Sequence, residues 1–164
     1  MEFVLLIALF VPALLAAPEG EKAYNKLSKP YRDGVDLAVQ QVNSHSKIQQ
    51  YFFFFKSMAK TESESGFGVN YIYHNFYLKP TTCTKSTQNA SPKNCPFRND
   101  RPMIDCAVCY RTVLGVIDND PNPYIHCIHK PSLSKEMIQK RAEHYRQMTY
   151  SHGAPTLLAS KGQK

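Results

Sequence analysis

The 164-residue sequence contains no tryptophan and only 7 glycines. After an apolar leader that ends near Ala17 it offers no further apolar stretch long enough to cross a bilayer. That excludes a chain built on several membrane spans. The residue sets that carry catalysis are missing too: six histidines and five cysteines are scattered, with no nucleophile beside a base and no metal-ligand cluster. Cys106-x-x-Cys109 has the spacing of half a zinc site, but zinc needs a second pair, and the lone Cys127 does not supply one. A redox pair normally opens a helix, whereas this one falls in a predicted strand. His74, His126 and His129 read as packed or surface residues of strands. No catalytic residue, metal or cofactor is therefore expected, and the chain reads as something other than an enzyme. A sixth cysteine is also missing, so at least one thiol among Cys83, Cys95, Cys106, Cys109 and Cys127 is left over.

What is present begins with the leader Met1-Glu2-Phe3-Val4-Leu5-Leu6-Ile7-Ala8-Leu9-Phe10-Val11-Pro12-Ala13-Leu14-Leu15-Ala16-Ala17, apolar after Glu2 and closed by small residues. It lacks an early Lys or Arg, yet its layout is that of a secretory signal, too short and too interrupted at Pro12 to be a span. Residues 1–16 are read as the signal peptide, and the localisation as secreted and extracellular. An oxidising route makes disulfides the default for the cysteines. Twenty Lys and Arg face 13 Asp and Glu, a surplus that suits heparin-like polymers, anionic membranes or acidic partners. Nucleic acid is not among the partners expected.

Periodicity gives the elements. Tyr31, Val35, Ala38 or Val39, and Val42 recur at helical spacing, predicting a helix over Lys29 to Ser44 with Pro30 in its first turn. The aromatic run Phe52 to Phe55 predicts a strand over Ile48 to Met58, followed by a polar loop over Lys60 to Gly68. Val69 to Leu78 is a second strand, stopped by Lys79-Pro80. Asp105 to Ile117 and Tyr124 to His129 are two more, joined by the turn Asp118-Asn119-Asp120-Pro121-Asn122-Pro123. A helix over Ser132 to Met148 is expected, with Leu133, Met137, Tyr145 and Met148 on one side and Ser132 or Ser134 as its cap. Residues 17–149 are read as one domain and 150–164 as a flexible tail, poor in large side chains and open to proteases.

The stretch Gly68-Val69-Asn70-Tyr71 through Thr81-Thr82-Cys83-Thr84-Lys85 to Asn94-Cys95-Pro96-Phe97 resembles the central strands of the cystatin/cathelicidin superfamily. Within it, Tyr31-Arg32-Asp33-Gly34-Val35, Cys106-Ala107-Val108-Cys109 and His126-Cys127 are more similar to the chemerin family, which also continues into a basic helical segment and a processed tail. The resemblance implies an α+β fold, one long helix on a four- to five-stranded antiparallel sheet, here with a short C-terminal helix. It implies a chemoattractant or adipokine precursor whose C-terminal segment is trimmed by extracellular proteases and engages a G-protein-coupled chemoattractant receptor. Lys161 and Lys164 are the processing sites expected.

Departures from the family pattern are specific. Cystatins fill a protease cleft with a Gln-x-Val-x-Gly hairpin and a Pro-Trp hairpin. Here the first position reads Glu64-Ser65-Gly66-Phe67-Gly68 and the second reads Asp118 to Pro123, so tight cysteine-protease inhibition is not expected. The tail Ser151 to Lys164 has no aromatic beyond His152, where chemerins carry an aromatic-rich end. A cathelicidin-like antimicrobial precursor is the alternative, because Lys130, Lys135, Lys140, Arg141, Arg146, Lys161 and Lys164 outnumber Glu136 and Glu143. Cys83 is expected to pair with Cys95. Chemerin spacing pairs Cys106 with Cys127 and leaves Cys109 as the free thiol, whereas ordinary cystatin spacing sends Cys109 to Cys127; residues three apart on a strand face opposite ways, so only one of the two can reach it. Asn89-Ala90-Ser91 is a glycosylation sequon.

Overall fold

A computed structural model describes residues 18–153. The leader 1–16 and the expected processing sites Lys161 and Lys164 lie outside the described residues. Helix α1 (Glu19–Asn25) leads into α2 (Lys29–Ser44), and the strands β1 (Gln50–Glu64), β2 (Val69–Thr84), β3 (Ile104–Val113), β4 (Val116–Ile117) and β5 (Tyr124–His129) follow. A single 3₁₀ turn (Lys130–Ser132) then precedes α3 (Lys135–Gly153). Every strand pairing is antiparallel, in the order β1-β2-β3-β4, with β5 also paired to β3. This is the expected α+β, cystatin-like arrangement of a long helix on an antiparallel sheet.

Helix α2 packs one face of the sheet because its apolar residues fall on one stripe. Tyr31, Val35, Ala38 and Val42 are buried against Phe52, Phe54, Ile72, Phe76, Leu78, Ile104, Val108 and Tyr110. Those strand residues alternate along β2 and β3, as a sheet with one face in the core requires. Gly34 is what lets the helix approach. A Cβ there would lie 2.5–2.6 Å from ring carbons of Tyr110, whose hydroxyl donates to the Pro30 carbonyl at 2.8 Å.

The differences from sequence expectation have physical causes. The polar segment expected as a loop from Lys60 continues β1 to Glu64, because each of its residues is held in register by β2, Lys60 opposite His74 and Glu64 opposite Asn70. Pro80 does not stop β2. Pairing with β3 ends at Leu78 opposite Ile104, so no β3 acceptor awaits an N–H at Pro80, and its carbonyl instead accepts from Arg98 N at 2.8 Å. The strand expected over Asp105 to Ile117 is folded in two: Leu114 and Gly115, both at positive φ, reverse the chain between Val113 and Val116. The C-terminal helix is 19 residues long rather than short, begins at Lys135 rather than Ser132, and runs past Met148 to Gly153. Helix α1 was not expected at all.

His74 belongs to the core and not to a site. Its ring is fully buried among Tyr31, Phe54 and Phe76, with Nε2 2.8 Å from Ser57 Oγ and no partner at Nδ1. Burial, reinforced by the Lys60 charge, lowers its pKa to about 3. Folding thus holds the ring neutral, and as pH falls below about 6.5 the unfolded chain takes up the proton first. Stability should be flat in this respect above pH 6.5 and fall below it, by roughly 2 kcal/mol at pH 5. Urea titrations at the two pH values check this; a His74→Gln variant with the same acid slope would contradict it.

Candidate functional site

The C-terminal helix is seated by an arginine where an apolar residue would be expected. Ser134 starts α3, its hydroxyl accepting from Met137 N at 3.2 Å. Arg141, Tyr145 and Met148 then face the sheet at helical spacing, with Met137 one turn earlier on the same stripe, whereas Leu133, counted with this stripe on sequence grounds, lies in the turn ahead of the helix. Arg141 is 2 % exposed. Its Nη1 donates to Asp105 Oδ1 at 2.5 Å, its Nη2 to the carbonyls of Asp105 and His126 at 3.1 and 3.2 Å, and its Nε to His126 Nδ1 at 2.8 Å. Asp105 also accepts from Asn75 Nδ2 at 2.8 Å, so both ions are paired and hydrogen-bonded inside the protein. Such a group is expensive to bury alone and tolerable only with this degree of satisfaction. To accept from Arg141, His126 Nδ1 must be unprotonated, and burial with the Arg141 charge lowers that ring's pKa accordingly.

Two further contacts complete the seat. Tyr145 OH donates to the Tyr71 carbonyl at 3.1 Å, and Met148 joins Tyr71 and Cys109 in a small core on the face that α2 does not cover. Three cations of the stretch noticed in the sequence have acidic partners, while Lys130 and Lys135 form no salt bridge among the described residues. Arg141 is consumed by Asp105, Lys140 pairs with Glu136 at 2.8 Å, and Arg146 pairs with Glu143 at 2.7 Å.

The structure joins Cys83 to Cys95 and Cys106 to Cys127, and leaves Cys109 free and buried. The register explains the choice: Cys106 stands directly opposite Cys127 on the α2 side, while Cys109, opposite Tyr124, turns toward α3. Burial pushes the Cys109 thiol up to about 12, which removes the thiolate that reactivity requires. Asn89 is exposed at φ 54° in the loop between Cys83 and Cys95, where a glycan would meet solvent.

At the far end of the sheet the two hairpins meet differently from expectation. The second tip is Leu114-Gly115-Val116, and not Asp118 to Pro123. Leu114 N donates to Gly68 O at 2.8 Å, while Asp118 is drawn back onto β3 by Arg111. Phe67, Leu114 and Val116 are left 102 %, 81 % and 62 % exposed, an apolar edge that reading Asp105 to Ile117 as one strand had concealed. A glycine on each side of Phe67, and Leu-Gly in mid-run, were the available signals. Among the described residues no group of three or more His, Cys, Asp or Glu could hold a metal ion, and no helix is long and apolar enough to cross a membrane.

The family model of the cathelicidins matches residues 27–119, more than half of the 164-residue chain. The match spans α2 to the second hairpin tip and stops before β5 and α3. No curated protein sequence matches significantly. Among solved structures, the crystal structure of Al-CPI is similar at 17 % identity over 62 % of this chain and 86 % of that one, with a TM-score of 0.41.

Proposed function

The chain belongs to the cathelicidin family, and on that premise we propose that it is a secreted, non-enzymatic precursor whose domain carries a C-terminal segment released by extracellular proteases to act on a G-protein-coupled chemoattractant receptor. The observation that carries this reading is the burial of Arg141. It ties α3 as far as Met148 to the folded domain, so the proposed released segment begins beyond Met148 and includes the trimming sites Lys161 and Lys164. The chemerin-like motifs support the receptor as its target.

The antimicrobial reading has the family in its favour. Against it, Arg141 is buried in the domain, Lys140 and Arg146 are paired with glutamates of α3 itself, and Ser151 to Lys164 holds only two Lys. A synthetic peptide of residues 150–164 separates the two. Calcium flux in receptor-bearing cells, without leakage from anionic vesicles, is the expected result; leakage without flux would establish the membrane-active reading instead. The apolar edge of Phe67, Leu114 and Val116 favours a third reading, cysteine-protease inhibition, which lacks both family hairpin motifs.

A further inference from the structure

Three lysines from three separate segments share two aromatic rings on the side of the sheet turned away from α2. Lys56 Nζ stands 5.6 Å from the Phe55 ring centre and 5.9 Å from that of Tyr77. Lys79 Nζ is 4.6 Å from Phe55 and 5.7 Å from Phe97, and Lys130 Nζ is 4.9 Å from Tyr77. Beside them opens a cavity of about 310 Å³ whose lining includes Phe55, Lys79, Arg101, Met103 and Lys130. Lys79, Arg101 and Lys130 thus line one concavity, and Lys56 reaches its Phe55 wall from beside it.

Among the described residues, none of Lys56, Lys79, Arg101 and Lys130 forms a salt bridge. The nearby acids are engaged: Asp105, which stands opposite Tyr77 in the sheet, is 4 % exposed and bound to Arg141, and Asp100, next to Arg101 in the chain, is bound to Arg98. Like charges gathered in excess of the one Asp100 carboxylate, which Arg98 already binds and Arg101 shares, repel one another, and a bound anion relieves that cost. Seating each ammonium on a ring restricts it before any ligand arrives, which lowers the ordering cost of binding.

We propose that this cleft is a binding site for an extracellular sulfated polysaccharide, with Lys56, Lys79, Arg101 and Lys130 contacting its sulfate groups and the edges of Phe55, Tyr77 and Phe97 its sugar rings. A membrane fits the surface less well. Peripheral attachment to lipid combines cations with exposed apolar side chains, and the exposed apolar edge of Phe67, Leu114 and Val116 lies at the opposite end of the sheet, past the start of β2. The proposal does not rest on what the C-terminal segment does, since every residue named in the site precedes α3.

The test uses the full secreted chain on immobilised heparin, with vesicles of phosphatidylserine and phosphatidylcholine as the second arm. A Lys56→Gln, Lys79→Gln, Lys130→Gln variant should bind heparin roughly ten- to a hundredfold more weakly at physiological salt and elute at lower salt. The control variant Lys22→Gln, Lys26→Gln, Lys135→Gln, with the same change in charge, should bind nearly as the unmodified chain does. A Lys56→Arg, Lys79→Arg, Lys130→Arg variant keeps the charge and a cation able to sit on the rings and should retain binding, which guards against loss through misfolding. Equal weakening in the control variant would overturn the site in favour of net charge alone. Tight vesicle binding that the glutamine variant abolishes, with heparin binding unchanged, would overturn it in favour of lipid.

Discussion

Replacing Arg141 with methionine is expected to destabilise the protein by about 3–5 kcal/mol, the range for breaking a buried ion pair by removing one member. The loss comes less from the missing attraction than from Asp105, which at 4 % exposure would keep a carboxylate with Asn75 as its remaining side-chain partner. The carbonyls of Asp105 and His126 lose donors as well. Removing both ions, with Arg141→Met and Asp105→Leu together, should recover most of the deficit, because no buried charge is then left unpaired. Chemical denaturation of the two variants measures this. A single variant within 1 kcal/mol of the unmodified protein, about the scale of an exposed ion pair, would place Arg141 in solvent and unseat α3.

The second large effect concerns the cysteines. Cys127→Ser opens a loop spanning 21 positions of sequence and should cost roughly 3 kcal/mol by the loop-entropy relation. It also frees Cys106 within reach of oxidants during folding, so mixed disulfides should be recovered from secretion medium. Cys109→Ala removes one buried sulfur beside Tyr71 and Met148 and should cost only about 1 kcal/mol, with both disulfides intact. Mass measurement before and after reduction, combined with denaturation, distinguishes the two variants. If Cys109→Ala were the one that scrambled the bridges, the pairing described above would be the wrong one.

The sequence was most informative where burial imposes a period. Tyr31, Val35, Ala38 and Val42 mark α2 to the residue, and β5 from Tyr124 to His129 lies where β-formers follow a run of turn residues. It was least informative where partners decide. Nothing local in Lys60 to Glu64 reports a strand, because those side chains are exposed and only β2 holds their backbone. Pro80 reads as a stop until the shorter length of β3 is known. Leu114-Gly115 was hidden inside an apolar run whose two halves belong to different strands.

The seat of α3 shows the same limit more sharply. Arg141 was counted among solvent cations, as an arginine in a basic amphipathic stretch normally would be, and its stripe was given a leucine that lies outside the helix. Only the register that places Asp105 and His126 on the face beneath α3 reveals the arginine as a core residue. For the antimicrobial alternative, whose cations were counted from Lys130 onward, a segment released beyond Met148 keeps only Lys161 and Lys164 of them. The sheet face that α3 leaves open is where the unpaired lysines gather, so one helix defines both surfaces.

The central claim, that α3 as far as Met148 is bound into the folded domain and is not part of the released segment, is tested most directly by native limited proteolysis. Trypsin would be applied to the secreted, oxidised protein and the products weighed by mass spectrometry. Arg141 and its neighbours should resist cleavage, since backbone held in a docked helix is a poor protease substrate. The predicted product is a single core that retains α3 through Met148, with two disulfides and one free thiol. Early cleavage at Lys135, Lys140 or Arg141, releasing the helix as a basic peptide while the sheet stays folded, would contradict the account.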